Sequence, residues 1–241
     1  SCMMPAQYSE PAMAARSTGS VSPLGRWPRL LRGLGSRCRV CAAWQDRVIC
    51  VRCQSAFAAV PPGWRSETGL VCHAALDYQP PWSTLIADFK YGGACELATP
   101  LAALLAQALQ QAADADRLRW PDWVLPVPLA LPRLRERGYN QSWELARRLA
   151  PPLGLQARAD LVERLIDTPH QVGLDRQARG RNLKGAFAPT PAGRRLLAGA
   201  SVALVDDVLT TGATAAELAA VLRQAGASEV QVWVVAHADR R

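Results

Sequence analysis

Two adjacent aspartates, Asp206 and Asp207, stand at the end of a short apolar run over residues 201–205. An apolar, valine-containing run of this length indicates a buried strand of a parallel sheet. Because like charges repel, two carboxylates at the end of such a strand must be solvated or hydrogen-bonded. The hydroxyl groups of a sugar would supply those hydrogen bonds. The alternative is a solvated turn that binds no ligand.

The loop after the acid pair has the composition of a phosphate-binding loop. Its residues are small or carry hydroxyl groups: Thr210, Thr211, Gly212, Ala213 and Thr214. Gly212 can adopt a positive φ and lets a ligand come close to the backbone. Thr214 and Glu217 have the spacing of a capping box, which predicts a helix that runs from Ala215 to about Gln224. The positive end of that helix would bind a phosphate, unless Gly212 only marks the helix start.

Both features fit one ligand, a ribose whose hydroxyls meet Asp206 and Asp207 and whose 5′-phosphate lies in the loop after them. The stretch resembles the phosphoribosyl-pyrophosphate signature of the type I phosphoribosyltransferases. In those proteins the acid pair holds the ribose and the loop holds the 5′-phosphate. The resemblance implies this ligand and leaves the acceptor of the phosphoribosyl group open.

A proline-rich turn and several arginines lie earlier in the chain. A strand over residues 123–129 is expected to stop in a turn that contains Pro126, Val127 and Pro128, since proline cannot donate to a sheet ladder. Arg133 and Arg137 follow and offer charge-assisted donors for a diphosphate, or else belong to a solvated basic turn. If both strands lie in one parallel sheet, their carboxyl ends meet at one crevice.

Two Cys-x-x-Cys pairs occur near the N-terminus: Cys38, Cys41, Cys50 and Cys53. Together they can supply four thiolates to one tetrahedral zinc ion, and a filled coordination shell indicates a structural site. A module this small has little core, so metal binding would contribute most of its folding free energy. Unrelated free cysteines and a redox pair are the alternatives. Cys72 and Cys95 fall outside the pattern and are interpreted as ordinary small residues.

Strands and helices alternate over the remaining chain, which is typical of an α/β domain. Apolar spacing predicts further strands near residues 70–78 and 230–235 and helices over residues 85–91 and 98–113. Lys90 and Tyr91, at the end of the first helix, could contact a phosphate and a base, but a lysine that stabilises a helix end is the simpler interpretation. The arginine-rich residues 168–182 would form either a mobile segment over the site or a solvated basic helix.

Composition limits the class of protein. The chain has 241 residues with 49% hydrophobic content, which suits one α/β domain and a small appendage. A formal net charge of +8 favours anionic ligands, either phosphates or nucleic acid. No apolar run approaches the ~20 residues that cross a bilayer, and paired cysteines without a secretion signal indicate a reducing cytoplasm.

We expect a disordered arm (1–36), a four-cysteine zinc-binding module (37–60) and a phosphoribosyltransferase-like domain (70–241).

The motifs occur in the order found in the ComF family, over about residues 37–238. They comprise the two cysteine pairs, Phe89-Lys90-Tyr91-Gly92, Pro126-Val127-Pro128-Leu129, Arg137-Gly138-Tyr139-Asn140-Gln141, the series Thr168, Gln171, Leu174, Arg176, Arg179 and Asn182, and Val205-Asp206-Asp207-Val208 with its loop. The resemblance implies an α/β fold of the type I phosphoribosyltransferase class, with a Rossmann-like parallel sheet and a small N-terminal zinc module that has four cysteine ligands. It also implies a pyrophosphate loop at residues 126–129, a phosphoribosyl loop at residues 206–214, and a link to competence and DNA uptake.

Two functions are compatible with this resemblance. As an enzyme, the protein would be a Mg²⁺-dependent glycosyltransferase that moves phosphoribosyl from phosphoribosyl pyrophosphate to an unknown acceptor, with Asp206, Asp207 and Arg137 as catalytic residues. No glutaminase domain is visible in the sequence, so release of ammonia from glutamine is not expected. As a binding protein, it would hold single-stranded DNA for a competence helicase or a recombination protein, with an affinity that falls steeply with salt.

Overall fold

The computed structural model describes residues 36–57, 63–166 and 185–238. Its strands are β1 (Ser36–Arg37), β2 (Trp44–Gln45), β3 (Trp64–Arg65), β4 (Val71–Asp77), β5 (Trp123–Pro126), β6 (Val162–Arg164), β7 (Phe187–Pro189), β8 (Ser201–Leu209) and β9 (Glu229–His237). Its α-helices are α1 (Val51–Phe57), α2 (Trp82–Tyr91), α3 (Ala98–Asp114), α4 (Leu131–Arg137), α5 (Gln141–Leu149), α6 (Pro191–Leu196) and α7 (Ala213–Gln224). The predicted segment 168–182 and nearly all of the predicted arm lie outside the described residues.

A five-stranded sheet with the order β3-β4-β9-β8-β5 forms the centre of the molecule. The strands β4, β9, β8 and β5 run parallel, whereas the edge strand β3 is antiparallel to β4. Such a parallel sheet is buried on both faces, and this explains the nearly continuous apolar runs of β8 and β9. The α/β fold class expected from the sequence is therefore confirmed.

Each face of the sheet is covered by its own layer. On one face α2, α3 and α5 pack against the sheet around Phe89, Leu101 and Trp233. On the other face α7 and the β6-β7 hairpin pack around Phe187, Leu204 and Leu218. Because α2, α5 and α7 each have one end at the carboxyl edge of the sheet, that edge collects side chains from several elements.

Two elements differ from the predicted bounds. The strand β8 continues through both aspartates to Leu209, because its partner β9 continues alongside it to His237. The arginines expected in a turn after β5 lie on the short helix α4, which has a proline in its first turn and ends at Gly138 with a φ of 78°. A positive φ of this kind is the usual way in which glycine ends a helix.

The cysteine-rich N-terminal part packs directly on α2. Cys38, Ile49 and Phe89 belong to one buried cluster, and Arg39 Nη2 lies 3.0 Å from Asp88 Oδ2. The cysteine module and α2 are therefore in contact. Within the described parts of the chain, every helix is too short or too polar to span a membrane.

Candidate functional site

Asp206 and Asp207 lie near the carboxyl end of β8, where α2 and α5 meet the sheet. Lys90, in the last turn of α2, places its Nζ 2.9 Å from Asp207 Oδ1. Ser142, in the first turn of α5, donates its hydroxyl to Asp206 Oδ1 at 2.8 Å. Each carboxylate therefore has a different partner, one a cation and one a neutral hydroxyl. The two carboxylates therefore lie in different electrostatic environments.

The surroundings of Asp206 change the pKa of its carboxyl group. Burial, followed by the neighbouring charge of Asp207, raises the pKa of Asp206 to about 6, although Lys90 and Ser142 partly oppose this. Burial disfavours the charged form of Lys90, but Asp207 and Asp206 outweigh it and raise the pKa of the lysine. Lys90 therefore stays charged at neutral pH, while the pKa of Asp206 lies about one unit below neutral pH.

The loop between β8 and α7 presents the start of a helix without a side-chain cap. Gly212 is the N-cap residue, with a φ of 70° and no capping side chain. The predicted capping box is wrong: α7 begins at Ala213, so Thr214 already lies inside its first turn. Glu217 instead accepts a hydrogen bond from the backbone N–H of Gly185 at 3.1 Å.

The missing cap leaves backbone donors available at this helix start. Among the described residues, no protein acceptor is found for the N–H groups of Gly212, Thr214 and Ala215. Unpaired donors and the positive end of the helix dipole together favour an anion. The helix start therefore offers backbone donors of the kind that a phosphate would need, and phosphate binding by this loop stays a prediction.

The proline-containing turn lies beside the acid pair. Pro126 pairs with Val205 in the parallel sheet, and the N–H of Val127 donates to the carbonyl of Val205 at 3.0 Å. Asn140 fixes this turn, since its Nδ2 donates to the Val127 carbonyl at 3.1 Å while its Oδ1 accepts from the N–H of Trp143 at 3.3 Å. One buried side chain thus joins the turn that ends at Pro128 to the start of α5.

Arg137 is connected to the end of α2. Its guanidinium lies 4.9 Å from the ring centre of Tyr91, and its Nη1 donates to Gln141 Oε1 at 3.3 Å. Gln141 Nε2 in turn donates to the carbonyl of Lys90 at 3.3 Å. Arg133 lies about one turn earlier on α4. The structure therefore brings Arg137 and Lys90 to one corner of the crevice.

Sequence reasoning did not select Lys90 and Ser142 as site residues. A lysine in the last turn of a helix is common for stability alone, so its pairing with an aspartate 117 positions away was not visible in the local pattern. The available signal was the order of the motifs along the chain. The Phe-Lys-Tyr-Gly motif and the acid pair both belong to the series of motifs that resembles the ComF family. Ser142 had no comparable signal beyond its position next to Gln141.

The four paired cysteines form a cluster whose sulfur atoms all lie within 4.8 Å of one another. The sulfurs of Cys41 and Cys50 are 3.8 Å apart, which agrees with the ~3.8 Å separation expected for two sulfurs bound at about 2.3 Å to one tetrahedral zinc. Burial disfavours the thiolate of Cys38, but backbone N–H groups around its sulfur outweigh this and lower its pKa to about 6. The cluster can hold one metal ion such as zinc, and Cys72 lies outside it, buried in β4.

Several curated proteins are similar to this chain over most of their length. The DNA utilization protein YhgH of Salmonella typhimurium is 36% identical over 210 residues, which is 85% of this chain and 86% of that protein. The protein of the same name from Escherichia coli is 35% identical over 211 residues, or 81% and 88% of the two chains. Competence protein F of Haemophilus influenzae is 38% identical over 161 residues, or 67% and 70%.

Solved structures of phosphoribosyltransferases are similar at a lower level. The glutamine phosphoribosylpyrophosphate amidotransferase of B. subtilis has a TM-score of 0.40 and 18% identity, covering 62% of this chain and 30% of that one. A hypoxanthine phosphoribosyl transferase of Trypanosoma cruzi has a TM-score of 0.35 and 15% identity, covering 58% and 64%. No model of a protein family matches the sequence.

Proposed function

The chain belongs to the ComF family, with DNA utilization protein YhgH and Competence protein F, and we propose that it binds phosphoribosyl pyrophosphate at the carboxyl edge of its sheet. The observation that carries this proposal is the order of two features along one strand and the following helix: an acid pair in which Asp206 is half-buried and Asp207 is buried, and then an uncapped helix start. The former suits ribose hydroxyls and the latter suits a phosphate. Only residues 208–211 separate the two features, so one phosphosugar can reach both.

Each part of the crevice has a role in this proposal. Asp206 and Asp207 accept hydrogen bonds from the ribose hydroxyls, while the backbone of Thr210 to Thr214 binds the 5′-phosphate. The turn from Pro126 to Pro128 and the guanidinium groups of Arg133 and Arg137 face the diphosphate. Lys90 pairs with Asp207 and offsets its negative charge beside the diphosphate. Mg²⁺ bound with the substrate would offset the negative charge of the diphosphate.

The reaction that fits this arrangement is the transfer of a phosphoribosyl group. A nitrogen of the acceptor forms a bond to C1′ while the bond from C1′ to the diphosphate oxygen breaks, and its electron pair leaves with pyrophosphate. The acceptor nitrogen then loses its proton. The protein contributes positioning and electrostatic stabilisation of the charge on the departing diphosphate.

Thermal unfolding with Mg²⁺ and phosphoribosyl pyrophosphate tests the proposal, with ribose 5-phosphate and pyrophosphate as separate comparisons. A ligand at about 100 times its Kd adds about 2.7 kcal/mol of stability, which raises Tm by about 5–10 °C in a domain of this size. We expect the largest shift with phosphoribosyl pyrophosphate, because it alone engages both ends of the crevice. Equal shifts with pyrophosphate alone would contradict a phosphoribosyl site.

The second candidate function is an adaptor for single-stranded DNA in DNA uptake. It is favoured by the formal net charge of +8 and by relatives named for DNA utilization and competence. Such binding depends on the release of counterions, so its affinity falls steeply as salt rises. Titration of a labelled oligonucleotide at several salt concentrations measures this slope, and the absence of binding at low salt would exclude the adaptor.

We propose that zinc is the metal of the cysteine cluster and that its role is structural. Four thiolates leave no open coordination position for a substrate, and zinc favours tetrahedral sulfur ligands. Cysteine thiolates bound to a metal also favour a reducing compartment, for which we propose the cytoplasm. Residues 37–60 would then form the zinc module beside the phosphoribosyltransferase-like domain of residues 70–241.

A further inference from the structure

The ammonium of Lys90 lies where the acid pair would otherwise attract a metal ion. Carboxylate oxygens bind hard divalent cations such as Mg²⁺. Here Lys90 Nζ is 2.9 Å from Asp207 Oδ1, and the side chain of Asp207 is 4% exposed. Burial opposes the charged form of Lys90, but Asp207 and Asp206 outweigh it and raise the pKa of the lysine. The ammonium therefore interacts with both acids.

One oxygen of each carboxylate already has two hydrogen-bond donors. Asp207 Oδ1 accepts from Lys90 Nζ and, at 2.7 Å, from the N–H of Val208. Asp206 Oδ1 accepts from the hydroxyl of Ser142 at 2.8 Å and from the N–H of Asp207 at 2.9 Å. Among the described residues, the Oδ2 atoms of both acids have no donor. These two oxygens are left for the hydroxyls of a ribose.

A metal ion at the acid pair would compete with this ammonium. Mg²⁺ bound to Asp207 would lie a few ångströms from Lys90 Nζ, and positive charges at that separation repel each other. Mg²⁺ also requires six oxygen ligands in octahedral geometry. Within the described ranges of the chain, no third histidine, cysteine or carboxylate joins the acid pair to form a metal-ligating group. The folded acid pair therefore suits a fixed ammonium better than a metal ion.

The backbone that carries Lys90 is anchored from two sides. Gln141 Nε2 donates to the carbonyl of Lys90 at 3.3 Å. The hydroxyl of Tyr139 donates to the carbonyl of Phe89, whose side chain is buried in the core. Asp207 is the single hydrogen-bond acceptor of the Lys90 ammonium in the part of the chain that the structure describes. Because an ammonium has three N–H donors, two remain for a ligand in the crevice.

We propose that the Lys90 ammonium takes the place of a metal ion at the acid pair, so that the ribose end of the ligand binds without Mg²⁺. Mg²⁺ is then required at the diphosphate end alone. This inference rests on the proposed phosphoribosyl pyrophosphate site and divides its metal requirement between the two ends. Lys90 is a positioning residue in this account, since it holds Asp207 charged and oriented toward the ribose hydroxyls.

The same helix offers a matched control. Asp88, two residues before Lys90, pairs with Arg39, whose Nη2 lies 3.0 Å from Asp88 Oδ2. Arg39→Met and Lys90→Met each remove one cation from an ion pair at the end of α2. Lys90 contacts the acid pair, whereas Arg39 belongs to the cysteine module. A general weakening of α2 would affect both variants alike.

Calorimetric titration of ribose 5-phosphate tests the proposal, because this probe has the ribose and the 5′-phosphate but no diphosphate. Wild type, Lys90→Met and Arg39→Met are each titrated with Mg²⁺ and in buffer without added divalent cations. No chelator is used, so the metal of the cysteine cluster stays bound. Phosphoribosyl pyrophosphate with Mg²⁺ is titrated into wild type in parallel.

We expect wild type and Arg39→Met to bind ribose 5-phosphate with affinities that agree within about twofold in the two buffers. Lys90→Met should bind about tenfold or more weakly without Mg²⁺, because two uncompensated carboxylates repel an anionic ligand. Mg²⁺ should recover part of this loss in Lys90→Met, since the ion can then approach the acid pair. A gain of Mg²⁺ dependence is a result that a merely structural role of Lys90 would not produce.

The outcomes separate this inference from the proposed function. Failure of wild type to bind either ligand would remove the proposed function itself. Binding of phosphoribosyl pyrophosphate, with ribose 5-phosphate bound only in Mg²⁺ or not at all, would overturn the inference and leave the function standing. This comparison uses wild type alone, so it holds even if a variant fails to fold. A folded Lys90→Met that binds independently of Mg²⁺, or an equal gain of Mg²⁺ dependence in Arg39→Met, would also overturn the role of Lys90.

Discussion

Asp206 and Asp207 are neighbours in one strand but have different electrostatic environments. The side chain of Asp207 is 4% exposed and paired with Lys90, whereas Asp206 has the hydroxyl of Ser142 and a raised pKa of about 6. An acid whose folded-state pKa is raised binds its proton more tightly in the native state. Its contribution to stability is therefore present at low pH and is lost as pH rises from about 4 to about 6.

Substitution of the two aspartates should therefore have opposite effects on stability. Asp206→Asn removes the unfavourable buried charge, so we expect unfolding free energy at pH 7 to stay constant or rise by about 1–2 kcal/mol. The variant should also show a weaker fall in stability between pH 4 and pH 6. Urea unfolding over this pH range measures both effects, and a loss of stability at pH 7 would contradict the assigned environment.

Asp207→Asn should destabilise the protein, because it leaves the ammonium of Lys90 partly buried without its counter-charge. We expect a loss of about 1–3 kcal/mol, below the full value for a completely buried pair. Lys90→Met combined with Asp207→Asn should recover part of this loss, since neither charge then remains. A double-mutant cycle by urea unfolding gives the coupling energy, and strictly additive effects would show that the ion pair contributes nothing.

The acid pair was recognisable in the sequence because its chemistry is local, with both carboxylates, the glycine and the hydroxyls all between residues 206 and 214. Lys90 was not selected, because its role depends on a contact between α2 and β8. The capping box at Thr214 was wrong for a related reason. Glu217 finds its hydrogen-bond donor in Gly185, outside its own helix, and a local pattern contains no information about that contact.

At the scale of secondary-structure elements, α2 connects the cysteine module to the crevice. The module contacts α2 through Arg39 and Asp88, and the same helix ends at Lys90 and Tyr91. We expect removal of the metal from metal-loaded protein by a chelator to increase amide hydrogen exchange over α2 as well as over the module. Exchange over α7, on the opposite face of the sheet, serves as the internal control. Unchanged protection of α2 after loss of the metal would show that the module does not position it.

The start of α7 depends on Gly212, whose φ of 70° suits glycine. Gly212→Ala should lower stability by about 1–2 kcal/mol, the cost of a left-handed conformation for a residue with a β-carbon. It should also weaken phosphoribosyl pyrophosphate binding, because the β-carbon restricts approach to the loop backbone. Urea unfolding and calorimetric titration measure the two effects.

Gly199→Ala is the matched control, since Gly199 has a φ of 76° and lies in the turn before β8. It should lose similar stability and keep full affinity for the ligand. If both variants bind equally well, the loop at Gly212 is not the phosphate site.

At the scale of the whole molecule, the presence of a parallel sheet and the distribution of apolar runs were largely predictable. Runs such as Val230 to Val235 are apolar on both faces, and only a parallel sheet covered on both sides accommodates them. The exact ends of β8 and the helical state of residues 131–137 were not predictable, because they depend on the pairing with β9 and on packing in the crevice. The contact between Tyr91 and Arg137 was equally hard to predict, because it depends on how α2 and α4 pack together.

The central claim is that the acid pair and the uncapped helix start form one site for phosphoribosyl pyrophosphate. Calorimetric titration of this ligand with Mg²⁺ into wild type and into the double variant Asp206→Asn with Asp207→Asn tests it most directly. Asp160→Asn is the control, because Asp160 pairs with Arg158 in a solvent-accessible ion pair. We expect saturable binding by wild type and Asp160→Asn, and a loss of about tenfold or more in the folded double variant, the equivalent of at least one lost hydrogen bond to a charged group. Equal affinity in all three proteins would contradict the claim.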